Sequence, residues 1–170
     1  GSGTLLAANM QHCAQGRWID YAIGQMLIDN RKAAQVLTEY GATACTDITG
    51  FGLLGHLQEV LVASKLGAQL QLNTLPLLPG AKECLQKNIL STLHPQNVAA
   101  SSALLNASEY KSQPIFNILF DPQTAGGLLA TIDADNADAC LQTLHDNGLS
   151  EACIIGTVED SIAEGTLLLT

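Results

Sequence analysis

Cys45-Thr46-Asp47-Ile48-Thr49-Gly50-Phe51-Gly52-Leu53-Leu54-Gly55-His56-Leu57 carries the change from one backbone state to another within a single run. Ala42 to Ile48 favours an extended strand that closes on the acidic Asp47. Gly50 and Gly52 then predict a turn in which a Cβ would obstruct the backbone. Beyond it, Leu53, Leu54, Leu57, Val60 and Leu61 recur at helical spacing, so the turn feeds an amphipathic helix. Such a junction puts side chains from the strand's end into a crevice, where free N–H groups of the helix start favour anions. One carboxylate cannot hold Mg2+ alone, but Asp47 suits a cation that phosphates also bind. A partner for this chain is therefore implied.

Outward from that junction the pattern stays mixed. Residues 16–40 predict one long helix, with Asn30-Arg31 as a point of interruption, and Trp18 and Tyr21 as packing residues near its start. The helix after the turn spans 52–65, with Gly67 as its stop. Ala68 to Leu72 alternates like a half-buried strand, 80–87 reads as a short helix, 88–98 as irregular and 99–107 as a small helix. Ile115 to Phe120 and Gly127 to Ile132 read as strands flanking a turn. Asp133 or Asp135 caps a helix running to His145, Asn147-Gly148 ends it, and strands at 152–158 and 165–169 finish the chain. Without strict strand–helix alternation, the expected class is α+β: a mixed, mainly antiparallel β-sheet packed with α-helices.

The 170 residues suffice for one well-buried core, and 47% hydrophobic against 14% charged residues indicates a folded domain. A formal charge of −9, from seven Lys and Arg against sixteen Asp and Glu, argues against nucleic-acid binding. The same scarcity of cations means that any phosphate bound here is neutralised by metal or by another polypeptide. No apolar run reaches the roughly 20 residues of a membrane span. Five cysteines (Cys13, Cys45, Cys84, Cys140, Cys153) make an odd count without a Cys-x-x-Cys pair, which fits a reducing cytoplasm. Cys84, Cys140 and Cys153 read as buried, inert thiols; Cys45, beside Asp47, stays open.

Thr46 to Leu57 resembles the hallmark of the selenophosphate synthetases, the selenide, water dikinases. Asp121-Pro122-Gln123-Thr124-Ala125-Gly126-Gly127-Leu128-Leu129 resembles that family's Asp-Pro-Gln-Thr-Ser-Gly-Gly-Leu-Leu, with Ala125 in place of serine. Pro76-Leu77-Leu78-Pro79-Gly80 resembles its proline-flanked turn, so the likeness covers essentially all of the chain in the family's order. The resemblance is to the family's C-terminal half alone, an α+β domain related to that of aminoimidazole ribonucleotide synthetase. It implies that residues 1–170 are one such domain, with 1–15 leading in from a missing N-terminal ATP-binding domain. Gly1-Ser2 also reads as a cloning remnant.

The implied reaction converts ATP, selenide and water to selenophosphate, AMP and phosphate, with Mg2+ as cofactor and ATP held mainly by the missing domain. Asp47 matches the metal-binding aspartate that the family supplies from this half; no catalytic nucleophile is expected here, and the isolated chain is expected to be inactive. The nucleophile, cysteine or selenocysteine, belongs to the other half. The family resembles a homodimer. Where many members carry Gly-Gly-Thr-x-x-Asn, this chain reads Leu90-Ser91-Thr92-Leu93-His94-Pro95-Gln96-Asn97, which resembles a branch fused behind an oxidoreductase-like domain. The role of Asn97 stays open, as does that of Asp121, read as a brace of the turn into Gly126-Gly127. Thr46 and Thr49 are expected to bond the turn's backbone, and His56 to be a hydrogen-bonded structural histidine. Two further readings stand: a related ATP-dependent enzyme of the same superfamily, and a non-catalytic docking or regulatory module using the apolar stripe of the first long helix.

Overall fold

The computed structural model describes all 170 residues. Helices α1 (Ser2–Met10), α2 (Gly16–Met26) and α3 (Arg31–Glu39) precede β1 (Ala44–Asp47), α4 (Gly52–Ser64) and β2 (Gly67–Leu70). Next come α5 (Ala81–Gln86), α6 (His94–Asn97), α7 (Ala107–Tyr110), β3 (Leu128–Thr131), α8 (Ala134–Asp146), β4 (Gly156–Glu159) and β5 (Leu167–Leu169). The expected α+β class is borne out, but the strands form two small sheets instead of one. In the first, β1 runs antiparallel to β3, with Asp47 opposite Leu128. In the second, β2 is central, antiparallel to β4 and parallel to β5.

Three apolar clusters tie these elements together. The largest joins α4 to the three-stranded sheet: Leu54, Leu57 and Leu61 lie on one helix face against Leu70, Leu167 and Leu169. A second packs α1, α2 and α5 through Leu5, Ala8, Trp18, Ala22, Ala81 and Cys84. The third clamps α3 to α8 over the two-stranded sheet through Val36, Leu37, Cys140 and Leu144. Burial of this kind contributes about 25 cal/mol per Å² of apolar surface, enough to override weak local propensity.

Several sequence expectations need correction. The predicted helix over 16–40 is two helices: the interruption expected at Asn30-Arg31 is present, but it is wider, running over 27–30, where Leu27 and Ile28 are exposed. Ile115 to Phe120 is not a strand: Pro114–Phe120 forms a 3-10 helix. Phe116, Ile118, Leu119 and Phe120 are all buried there, and an apolar run buried on every side has no period that separates strand from helix. Gly67 does not stop α4; it opens β2, and the left-handed residue at the helix end is Lys65, φ 57°. Residues 88–98 include the short α6, and 99–107 is chiefly a 3-10 turn over Val98–Ala103. Among the packing aromatics Trp18 is buried but Tyr21 is exposed, and Cys153 is exposed outside any strand. No helix is long and apolar enough to cross a membrane.

Candidate functional site

The two long motifs meet in space. Ile48 N–H donates to Gly127 O at 3.0 Å, extending the β1–β3 ladder past Asp47. The carbonyl of Thr49 accepts from Gly52 N–H at 3.1 Å and from Gln123 N–H at 3.0 Å, which closes the turn onto the Asp121–Leu129 segment. Gly52 has φ +71°, and a Cβ there would lie 2.9 Å from the Phe120 carbonyl carbon, so both conformation and contact demand glycine. A Cβ on Gly126 would overlap Ile48 O. Gly50 differs from the expectation: its φ is not positive and a Cβ would meet open space, so the turn itself does not require glycine at that position.

Asn97 completes the seam. Its Nδ2 donates to Gly50 O at 2.8 Å and to Phe120 O at 3.0 Å, pinning the turn before α4 to the end of the 3-10 helix that leads into Asp121. Both donors of the amide are thereby used. This gives Asn97 a structural task, with partners too far along the chain for any local pattern to announce.

Asp47 and Asp121 lie in the two motifs with opposite surroundings. Asp47 ends β1 exposed, and its carboxylate has neither a hydrogen bond nor an ion pair within the chain. Asp121 is 0% exposed. Its Oδ1 accepts from Thr4 Oγ1 at 2.8 Å, and its Oδ2 accepts from Gln123 Nε2 at 3.1 Å and lies 3.3 Å from the Gly1 amino group. The bracing role is therefore borne out and extended: Asp121 holds α1 as well as its own turn. Gln123 and Ser2 add to the same stitch, since Gly1 and Ser2 N–H groups donate to Gln123 Oε1 and Thr124 N–H donates to Ser2 Oγ at 2.9 Å.

Around Asp47, Cys45 is exposed on the same face of β1. Partial burial, and then the negative charge of Asp47, push its thiol upward, which keeps it protonated and a poor nucleophile. Thr46 Oγ1 reaches Asp47 O at 3.4 Å, whereas Thr49 Oγ1 bonds a side chain, His56 Nε2, at 3.1 Å. His56 is 7% exposed, as expected of a structural histidine, and its Nδ1 lies 3.4 Å from Glu59 Oε2. The Phe51 ring tilts over the imidazole at 5.6 Å. The Thr49–His56 pairing has no signature in the sequence; seven residues of separation across a turn leave no helical or strand period to find it by. The N terminus of α4 has no side-chain cap and no acidic residue in its first turn, so its positive dipole end is unanswered.

No group of three or more His, Cys, Asp or Glu side chains is assembled to hold a metal ion. What the junction leaves free is one exposed carboxylate, Asp47, and a helix start without a side-chain cap.

The family model described as AIR synthase related protein, C-terminal domain, matches residues 1–166. A selenide, water dikinase of Porphyromonas gingivalis is 35% identical over 174 aligned positions, covering 100% of this chain and 49% of the relative. That of Clostridioides difficile is 32% identical over 93% of this chain and 45% of its own length. The chain thus spans about half the length of the curated relatives it matches. Among solved structures, hydrogenase maturation protein HypE superposes with a TM-score of 0.61 at 15% identity, over 85% of this chain and 39% of that one. HypE in complex with ATP gives 0.59 at 16%, over 82% and 36%. At those identities the likeness is one of fold.

Proposed function

The chain belongs to the AIR synthase related proteins as their C-terminal domain, of the selenophosphate synthetase kind, and we propose that it serves as the C-terminal half of an ATP-dependent selenide, water dikinase. The observation that carries this reading is the Asp47 carboxylate, open and unpartnered where the two motifs join. The residues fit Mg2+ as part of a shell: one hard oxygen from Asp47, with the other positions left to water, phosphate oxygens and the N-terminal domain. Bound there, the cation would neutralise charge on the phosphoryl group in transfer.

The chain's own residues do the positioning. The β1–β3 ladder and the Asn97 clamp fix where the Asp47 backbone ends. The uncapped start of α4 presents N–H groups to phosphate oxygen beside that carboxylate. Cys45, held protonated, leaves the nucleophile's role to the absent half. Five free thiols support a reducing compartment, the cytoplasm. The ATP-bound neighbour of the same fold supports ATP as the nucleotide, held mainly by the N-terminal domain.

The test is ATP- and selenide-dependent AMP release. The chain joined to its natural N-terminal half is expected to be active and the chain alone inert. Asp47→Asn in the joined protein should lower the rate by about 100-fold or more and weaken its Mg2+ dependence. Full activity in that variant would end the metal role. A second reading, a docking module without catalysis, is favoured by the apolar side chains left exposed around α2: Tyr21, Ile23, Leu27 and Ile28. Binding of a partner by an extended protein that releases no AMP would select it.

A further inference from the structure

Asn30 stands at the start of α3, where an asparagine ordinarily accepts a backbone N–H of the helix's first turn. It makes no such cap. Its Nδ2 instead donates to Gly126 O at 3.0 Å, 96 residues away along the chain. The turn that it reaches, in the second motif, is fastened at three other points. Gln123 N–H donates to Thr49 O, Thr124 N–H donates to Ser2 Oγ, and Gly127 O accepts from Ile48 N–H. Between these fastenings Ala125 is left-handed, φ +48°, a conformation that a Cβ resists. Thr124 and Ala125 are exposed, so nothing packed over them keeps that conformation in place. A strained turn of this kind persists only while its fastenings over-determine it.

Relaxation of the turn is passed to Asp47 through the backbone. Gly126 lies so close to Ile48 O that a Cβ on it would overlap that oxygen. Gly127 O accepts from Ile48 N–H at 3.0 Å, and that N–H belongs to the peptide group that ends Asp47. The peptide group is planar, so a shift at 126–127 turns the plane on which Asp47 ends. The Asp47 side chain has no bond of its own within the chain, so its backbone alone sets where the carboxylate lies. From this we propose that Asn30 is a positioning residue for Asp47, acting through Gly126 on the main chain from which the carboxylate projects. The inference rests on the metal reading of Asp47 and adds to it the long-range fastening that holds the ligand's backbone. It also gives the interruption between α2 and α3 a task, which is to bring an amide donor to the seam.

The experiment uses the chain joined to its N-terminal half and reads two quantities on folded protein. One is hydrogen exchange over residues 44–50 by mass spectrometry, which needs no metal. The other is Mn2+ binding by the loss of the free-ion EPR signal, with Asp47→Asn as its reference. Asn30→Asp keeps the size of the side chain and its suitability for a helix start, and removes the donor. It is expected to speed exchange over 44–50 about fivefold, the change that one neutral hydrogen bond accounts for, and to leave β2 and β4 as they are. Mn2+ binding should weaken about tenfold. If Asn30→Asp fails to fold by circular dichroism, Asn30→Ser takes its place, since it suits a helix start but is too short to reach Gly126. Unchanged exchange over 44–50 overturns the positioning role. Faster exchange with unchanged Mn2+ binding, while Asp47→Asn is weakened, also overturns it: Asn30 is then a structural clamp only, and the metal reading of Asp47 stands. Asp47→Asn binding Mn2+ as well as the parent protein overturns the metal reading and this inference with it.

Discussion

Asp47 at the end of β1 and Asp121 just after the 3-10 helix stand on the two sides of one seam, and the protein treats them in opposite ways. Asp121 is sealed at 0% exposure and answered by Thr4 and Gln123, whereas Asp47 is exposed and answered by nothing in the chain. A buried charge without partners is costly and an exposed one is nearly free, so stability accounts for Asp121 and says nothing for Asp47. The residue that folding does not need is the one with capacity left for a ligand.

The sharpest way to break that contrast is to exchange losses. Asp121→Ala leaves the Thr4 hydroxyl and a Gln123 N–H without their acceptor and frees the α1 end. It should cost about 3 kcal/mol or more of unfolding free energy in urea. Asp47→Ala should change the same quantity by less than about 0.5 kcal/mol while removing metal-dependent activity from the joined protein. Equal destabilisation by the two would erase the distinction. Asn97→Ala comes next, at about 1–2 kcal/mol, because it removes two hydrogen bonds of which only the one to Phe120 O is partly buried. An effect beyond Asp121→Ala would make Asn97, and not Asp121, the main fastening of the seam.

How much of this is legible in the sequence follows from the range of each signal. The junction at 46–57 is legible because strand, turn and helix are each encoded locally, and so are the Asp133 cap, which accepts from Asp135 N–H, and the stop at Asn147-Gly148. The break before α3 is legible only in part, since Asn30-Arg31 marks it but the apolar Leu27 and Ile28, exposed there, continue the stripe; the 3-10 helix at 114–120 is not, since it is settled by burial and not by periodicity. At the site, Asp47 can be singled out from its place at the strand's end. Thr49–His56 and the Asn97 clamp cannot: their partners lie 7, 47 and 23 residues away, across turns that no propensity describes. Gly50 misleads for a related reason, because a glycine in a turn reads the same whether or not its φ is positive.

The smallest expected effect concerns a buried histidine that packs on the same seam. His94 is 5% exposed, edge-on to Phe120 at 5.6 Å, with its Nε2 buried and without a partner. Burial lowers its pKa below the ordinary 6.5, against smaller opposing pulls from Asn117 and Asp121. A histidine depressed in the folded state favours folding while neutral. Its contribution is complete above 6.5, and it is lost as pH falls from there through the lower folded value, because the unfolded chain takes the proton first. The urea midpoint should therefore fall more between about pH 7.5 and about pH 5 for the parent chain than for His94→Met. Other titrating groups are common to both proteins and cancel in that difference. The opposite ordering would mean that Asp121, sealed as it is, stabilises a charged His94 after all, and that its partners do not exhaust its field.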